Sequence, residues 1–288
     1  LMGKRFNYTV SATLGDNKTV FTKFNNPEKN LSNHYEGKVL GEIWGYRVDG
    51  LFASDEEAAE YTSKINQDAV NERILTDKVD PYYRAGDLKF RDLDGDNVIS
   101  KGDDTAYDAG DREIIGNETP RYMYSFRLGA DWNGFDLGIF FQGVGKRDWY
   151  PNYLSTGFWG PYSRAFTSFI PENFMDQCWS EENRDGYFPR FRGYQTFAGS
   201  QLGVNNDRYL QDASYIRLKN LTVGYTLPVL KKVFTKLRVY FTGENLWYWS
   251  PMLKHTKYID PEAAGGNGNT GMAYNYSRNF SVGVDITF

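Results

Sequence analysis

Strict alternation of apolar and polar residues closes the sequence, and this feature constrains the fold more than any other. In "SRNFSVGVDITF" the residues Phe280, Val282, Val284, Ile286 and Phe288 share one parity, and the positions between them are polar or glycine. Successive side chains of a β-strand point to opposite faces of a sheet, so the pattern predicts a strand over 276–288. From Phe280 to Phe288 the strand rises about 26 Å. Tilted by about 40°, it covers roughly 20 Å of membrane height, close to the apolar band of an outer-membrane barrel.

Two environments explain such a strand. In a soluble sandwich or barrel the apolar face would cover a protein core. In a transmembrane barrel the apolar face would meet lipid and the polar face a water-filled lumen. In the second case Phe280, Val282, Val284 and Ile286 would face lipid. One strand alone does not distinguish the two environments.

The same alternation recurs along the chain and predicts further strands. These predicted strands span 5–14, 42–50, 121–132, 135–144, 215–228 and 237–247. Residues 19–24 either continue the first strand or form a separate strand after a tight turn. Asn133 and Gly134 tolerate the positive φ angles of a type I′ turn, which predicts a hairpin between the third and fourth of these strands.

A change of apolar parity occurs within the predicted strand that begins at residue 215. Ile216 and Leu218 share one parity, whereas Leu221 and Val223 share the other. One extra residue in a strand resets which face the following side chains occupy. The change therefore predicts a β-bulge near Lys219–Asn220.

The connections between strands alternate in length. Those at 133–134 and about 228–236 are short, whereas the others are long enough to form three extracellular loops at about 53–118, 148–207 and 250–274. Outer-membrane barrels have short periplasmic turns and long extracellular loops, so the sorting favours a transmembrane barrel over a sandwich. In the first long loop, Ser54 and Glu57 form a capping box that predicts a short helix over 54–66.

Composition narrows the possible functions. The net charge is −4 and no basic stripe is present, so we expect no nucleic-acid partner. The single cysteine, Cys178, allows no internal disulfide. The two histidines, His34 and His255, have no metal-ligand or triad-like neighbours, so we expect no enzymatic activity. The alternation begins in the first residues, which indicates a piece of a larger protein.

Five ordered blocks of the sequence carry a family resemblance. They are "GDLKFRDLDGDNVISKGDD", "REIIGNETPRYMYSFRLGADWNGFDLGIFFQGVG", "YIRLKNLTVGYTLP", "LRVYFTGENLWYWS" and "FSVGVDITF". Together they resemble the C-terminal part of a SusC/RagA-type TonB-dependent outer-membrane transporter of Bacteroidetes. The resemblance implies an all-β fold, the C-terminal portion of an antiparallel transmembrane barrel of about 22 strands. Residues 1–288 would supply about seven of these strands, without the plug domain.

The resemblance also implies a function. The whole protein would import oligosaccharides or oligopeptides across the outer membrane. A SusD-like surface lipoprotein would cover the barrel, and the TonB complex would act through an N-terminal region that this chain lacks. The terminal aromatic, Phe288, resembles the signal that the barrel-assembly machinery reads.

The segment "DLDGDNVISKGD" has the spacing of a calcium loop. The expected ligands are Asp92, Asp94, Asp96, the backbone carbonyl of Val98 and Asp103. Two positions depart from the standard pattern, because Asn97 stands where glycine is usual and Asp103 where glutamate is usual. Asparagine tolerates the left-handed conformation that the turn requires. We therefore expect a structural Ca²⁺ in an external loop, with an Asx-rich turn that binds no metal as the alternative.

Aromatic residues of the long loop at 148–207 are candidates for cargo binding. Trp149, Tyr150, Tyr153 and Trp159 could stack on sugar rings, but they could equally pack loops together or meet a partner protein. Polar residues of the strands would face the lumen and either contact cargo or pair with each other: Arg127, Asp131, Asp136, Gln142, Arg238 and Glu244.

A second functional class remains open at this point. A secreted, soluble, calcium-dependent glycan-binding β-domain would share the alternation, the loop aromatics and the calcium loop. It would not explain why the short and the long connections lie at opposite ends of the strands.

Overall fold

The computed structural model describes residues 6–164, 166, 170–228, 235–265, 270–271 and 273–288. In chain order, the strands are β1 Asn7–Gly15, β2 Glu42–Tyr46, β3 Val48–Leu51, β4 Leu88–Phe90, β5 Arg112–Asn117, β6 Arg121–Trp132, β7 Phe135–Lys146, β8 Asp148–Trp149, β9 Cys178–Trp179, β10 Phe188–Arg190, β11 Gln211–Asp212, β12 Tyr215–Leu227, β13 Lys236–Trp249 and β14 Asn279–Thr287. The α-helices are α1 Asp55–Thr62, α2 Glu72–Leu75, α3 Thr156–Trp159 and α4 Pro161–Arg164.

One antiparallel sheet contains six of these strands, and we call it the wall. Its strand order is β1-β6-β7-β12-β13-β14, so each wall strand pairs with the next wall strand along the chain. The family resemblance implied about seven barrel strands in this chain, and the described residues form six. The predicted strand at 42–50 divides into β2 and β3, which pair with β5 and β4 outside the wall.

Two local predictions within the wall are confirmed. Asn133 and Gly134 have φ angles of 49° and 90°, which are the positive values that a type I′ turn between β6 and β7 requires. In β12 the pairing register shifts between Leu218 and Asn220 against both neighbouring strands. Relative to β7, Lys219 is the extra residue, whereas relative to β13 the extra residue lies on β13, between Glu244 and Trp247. The apolar parity therefore changes across this bulge, as the sequence indicated.

Several element boundaries differ from the sequence prediction. The first strand ends at Gly15, and within 19–24 only Val20 forms a bridge, to Val39. Helix α1 is shorter than 54–66, and the hydroxyl of its N-cap Ser54 accepts a hydrogen bond from the backbone of Glu57. The last strand begins at Asn279 instead of residue 276.

Strand register aligns apolar residues across all six wall strands. One row of paired residues contains Tyr8, Ala130, Leu137, Val223, Phe241 and Val282. The neighbouring row on the other face contains Thr9, Gly129, Gly138, Thr222, Thr242 and Ser281. The alternation of each single strand thus adds up to one apolar face and one polar face of the wall.

The hydrophobic core lies outside the wall, in the long connections. We call the described residues of 16–120, 147–214 and 250–265 the loop cap. Its most deeply buried large side chains include Trp149, Trp159, Tyr162, Tyr209 and Phe188. Among the described residues, no helix is long and apolar enough to cross a membrane.

Candidate functional site

The apolar face of the wall is exposed, although it is built from large hydrophobic residues. Phe280 and Val282 are 65% and 77% exposed, and Val284 and Ile286 are also exposed. Soluble monomers rarely leave a continuous apolar surface of this extent uncovered. The face is therefore suited to contact with lipid.

Aromatic side chains flank this apolar face at both of its ends. Near the short turns, Trp132 and Phe135 are exposed, and the centre of the Phe135 ring lies 4.5 Å from the centre of the Tyr225 ring. Near the loop cap, Trp247 and Trp249 are exposed as well. Aromatic residues are enriched where a transmembrane barrel meets the two membrane interfaces. The rows between these aromatics correspond to the apolar band.

Ion pairs and hydrogen bonds connect the strands on the polar face. The Arg238 guanidinium donates to both carboxylate oxygens of Asp136, at 2.9 and 2.6 Å, and to Asp285 at 2.9 Å. These three residues come from β7, β13 and β14, so one arginine links three strands. Glu244 accepts a hydrogen bond from Asn279 at 3.2 Å.

Further members of the predicted lumenal set lie on the same face. The Arg127 guanidinium sits 5.2 Å from the centre of the Phe140 ring. Gln142 pairs with Arg217 and Ser125 in the sheet register, and Asp131 pairs with Asp136. All six predicted residues therefore share the polar face.

Most of the predicted cargo-binding aromatics are buried. Trp149 is 1% exposed, Tyr150 6% and Trp159 0%, so these three do not form the stacking surface that the sequence suggested. Trp159 instead donates from its indole nitrogen to the carbonyls of Pro151 and Asn152. Composition alone could not separate these core residues from surface residues. Tyr153 is the member of the set that is exposed, at 46%.

The acidic loop brings three of its predicted ligands together. Carboxylate oxygens of Asp92, Asp94 and Asp96 lie within 4.8 Å of one another. Two oxygens bound to one Ca²⁺ at about 2.3–2.6 Å can lie no more than about 5 Å apart, so the three carboxylates fit this ion. Asn97 has a φ of 67°, the left-handed conformation expected at this position. In the β-bridge between Asn66 and Val98, the Asn66 amide donates to the Asn97 carbonyl and the Ile99 amide donates to the Asn66 carbonyl. The bridge therefore does not use the Val98 carbonyl.

Asp103, the fourth predicted carboxylate, is not part of this group. Its backbone amide donates to Asp108 within a separate turn. Asp111, which the sequence analysis missed, instead closes the acidic loop by accepting hydrogen bonds from the backbone amides of Leu93 and Ser100, both at 2.7 Å. Burial raises the pKa of Asp111, and the nearby carboxylates raise it further. No spacing rule identifies Asp111, because its position depends on how 101–110 fold.

Comparison with known proteins gives a consistent result. The sequence is 30% identical over 269 residues to TonB-dependent receptor P3 of Formosa agariphila, covering 88% of this chain and 22% of the receptor. It is 28% identical over 216 residues to TonB-dependent receptor P26 of the same organism, covering 70% of this chain and 20% of that receptor. The chain thus spans about a fifth of the length of these relatives. No known protein-family profile matches the sequence.

The fold is similar to that of solved transporter structures. A structure of the RagAB peptide transporter matches with a TM-score of 0.59 and 20% identity, over 100% of this chain and 28% of that chain. A structure of the RagAB peptide importer in the closed-closed state matches with a TM-score of 0.57 and 20% identity, with the same coverage. The sequence relatives are named TonB-dependent receptors, which agrees with the expectation that this chain is not an enzyme.

Proposed function

We propose that this chain, which corresponds to part of a SusC/RagA-type TonB-dependent transporter, forms a section of the barrel wall and outer loops of an outer-membrane importer. The observation that carries the proposal is the two-faced wall: six sequentially paired strands with an exposed apolar face and an ion-paired polar face. The apolar face would contact lipid and the polar face would line the lumen.

The soluble glycan-binding alternative is not favoured by this arrangement. In a soluble domain the apolar face of the sheet would be covered by a second layer. Here Val282 and Phe280 are exposed, and the hydrophobic core lies in the loop cap.

For the whole protein, the proposal includes a class of cargo and two partners. The importer takes up oligosaccharides or oligopeptides, works with a SusD-like surface lipoprotein and draws energy from the TonB complex. The sequence relatives are called TonB-dependent receptors, and the structural neighbours are described as a RagAB peptide transporter, which supports this assignment. Of the residues that the sequence suggested for cargo contact, Tyr153, Arg127, Asp131 and Glu244 are exposed.

Uptake measurements on the complete transporter test this function. Cells that carry the transporter and its lipoprotein are given fluorescent oligosaccharides or oligopeptides, with and without collapse of the proton-motive force. Accumulation of one cargo class that requires both the transporter and the proton-motive force supports the proposal. A complete protein that purifies as a folded monomer without detergent contradicts it.

Calcium binding at the acidic loop is part of the proposal. Asp92, Asp94, Asp96 and the Val98 carbonyl hold one Ca²⁺, which neutralises three clustered carboxylates that otherwise repel each other. Its role is structural, since the loop is tied through Ile99 and Asn66 to the segment after α1.

Titration calorimetry on the complete protein tests the calcium site. We expect Asp94→Ala to weaken Ca²⁺ binding by at least about tenfold, which corresponds to about 1.4 kcal/mol. Asp103→Ala is the matched control, and it should leave the affinity within about twofold, because Asp103 lies outside the cluster. Absence of binding at millimolar Ca²⁺, or equal effects of the two substitutions, would show that the loop is only an acidic turn.

A further inference from the structure

A short segment of the loop between β13 and β14 is fixed to the polar face of the wall. We call residues 258–264 the latch. Within it, Asp260 contacts the Arg217 guanidinium, and both side chains are only 1% exposed. The Nε atom of Arg217 also lies 2.9 Å from a carboxylate oxygen of Glu262. The Lys219 amine donates to both oxygens of Glu262 at 2.8 Å.

The β-bulge of β12 supplies one of these cations. Arg217 pairs with Gln142 and Tyr248 on the polar face, whereas Lys219, at the bulge, has no register partner in β7 or in β13. After the bulge, Asn220 pairs with Glu244, which also belongs to the polar face. The bulge therefore places a lysine close to Arg217, and the register shift across it keeps Asn220 on the polar face.

Tyrosine rings hold the two cations in place. The Arg217 guanidinium lies 4.6 Å from the centre of the Tyr248 ring and 5.2 Å from that of Tyr276. The Lys219 amine lies 4.5 Å from the centre of the Tyr276 ring. Cations are attracted to aromatic faces, and the attraction is stronger where water is excluded. Both cations are thus oriented toward the latch.

The latch itself is a tight turn with an apolar anchor. The backbone of Ala263 donates to the Asp260 carbonyl, and the backbone of Glu262 donates to the Asp260 carboxylate, each at 3.0 Å. Pro261 occupies the second position of this turn, where its fixed φ is favourable. Ile259 is 3% exposed within the core of the loop cap. The turn presents the two carboxylates to the wall in a fixed arrangement.

We propose that the latch, residues 258–264, narrows the lumen by lying against β12, and that the contacts of Glu262 with Lys219 and Arg217 keep it there. The inference rests on the proposed function, since the polar face lines a lumen only if the wall is part of a barrel. On this proposal the latch, and not the wall strands alone, sets the width of the pore at the level of Arg217 and Lys219.

Chemical modification of a cysteine beneath the latch tests the proposal in the complete transporter. Gln142 and Glu262 line the same cavity, so an impermeant thiol reagent added outside cells should modify Gln142→Cys slowly while the latch is closed. The native Cys178 is buried and is replaced by serine in every variant. We expect Glu262→Gln and Lys219→Met each to raise the modification rate at least about threefold.

Three further variants complete the design. Lys219→Arg keeps the charge and should keep the slow rate. The double variant Lys219→Met/Glu262→Gln should react no faster than the faster single variant, because Glu262→Gln already removes the ion pair with Lys219. Lys236→Met removes an exposed lysine at the far end of β13 and should change nothing.

A wrong latch proposal and a wrong barrel-wall function would give different labelling results. Equal modification rates in the parent and in both single variants would show that the latch does not restrict access to residue 142. The proposal that the polar face lines the lumen would be unaffected. Modification of Gln142→Cys by lipid-soluble reagents but not by water-soluble ones, in all variants, would show that the polar face is not lumenal. That result would contradict the proposed function as well.

Discussion

Replacement of Arg192 by methionine is expected to destabilise the loop cap by about 3–5 kcal/mol, because it leaves a buried carboxylate without its partner. The Arg192 guanidinium bonds both oxygens of Asp87 at 3.1 Å, and the side chains are 8% and 0% exposed. It also donates to the backbone carbonyls of Asp80 and Tyr82, so its loss frees the segment before β4. Burial already raises the pKa of Asp87, and without the arginine this carboxyl would take up a proton more readily still.

Arg84→Met is the matched control for this change. Arg84 pairs with Asp80 at 3.0 Å, but the two side chains remain 35% and 31% exposed. Exposed pairs contribute about 0–1 kcal/mol, so the loop cap should tolerate this loss. To compare the two variants, each is titrated with denaturant, and protease cleavage within residues 70–210 is measured at each concentration. Equal stability of both variants would mean that the Asp87–Arg192 pair does not support the loop cap.

Arginine in place of Leu221 is expected to give the second large effect, a loss of about 2–4 kcal/mol in the free energy of folding into a bilayer. Leu221 pairs with Ile139 and Gly243 in a row of the apolar face that lies between the two aromatic ends. A charge at this level of a barrel is exposed to hydrocarbon, where hydration is lost.

Thr222→Arg is the control, one residue away on the polar face. The Thr222 hydroxyl lies 3.0 Å from that of Thr242 and 3.2 Å from the Asn220 amide oxygen, so the substitution removes two half-buried hydrogen bonds but leaves the new charge in the lumen. We expect it to cost less than about 1.5 kcal/mol. Refolding into liposomes of a single lipid, followed by urea titration, measures both variants. A larger loss for Thr222→Arg than for Leu221→Arg would mean that the face of Thr222 contacts lipid and the face of Leu221 lines the lumen.

The wall could be predicted from the sequence because its signals are local. The period of two fixes which face each side chain occupies, Asn133-Gly134 fixes the hairpin, and the change of parity locates the bulge at Lys219. Each of these rules concerns neighbouring residues, and the structure agrees with all three.

The loop cap could not be predicted in the same way, because its contacts join residues far apart in sequence. Trp149 and Trp159 have the composition of a sugar-binding surface, yet they are buried in a core that three connections form together. Asp111 closes the acidic loop from outside the twelve-residue spacing, and Glu262 reaches Lys219 across 43 positions. No periodicity in the sequence marks such contacts.

Spin-label accessibility at two adjacent residues of β14 tests most directly whether the apolar face meets lipid. Nitroxides are attached to Val282→Cys and Ser281→Cys in the complete transporter reconstituted in a bilayer, with Cys178 replaced by serine. Val282 pairs with Phe241 on the apolar face and Ser281 with Thr242 on the polar face. We expect high accessibility to oxygen and low accessibility to a water-soluble nickel complex at residue 282, and the reverse at residue 281. Equal access of the nickel complex to both residues, or exclusion of oxygen from residue 282, would contradict the barrel-wall account.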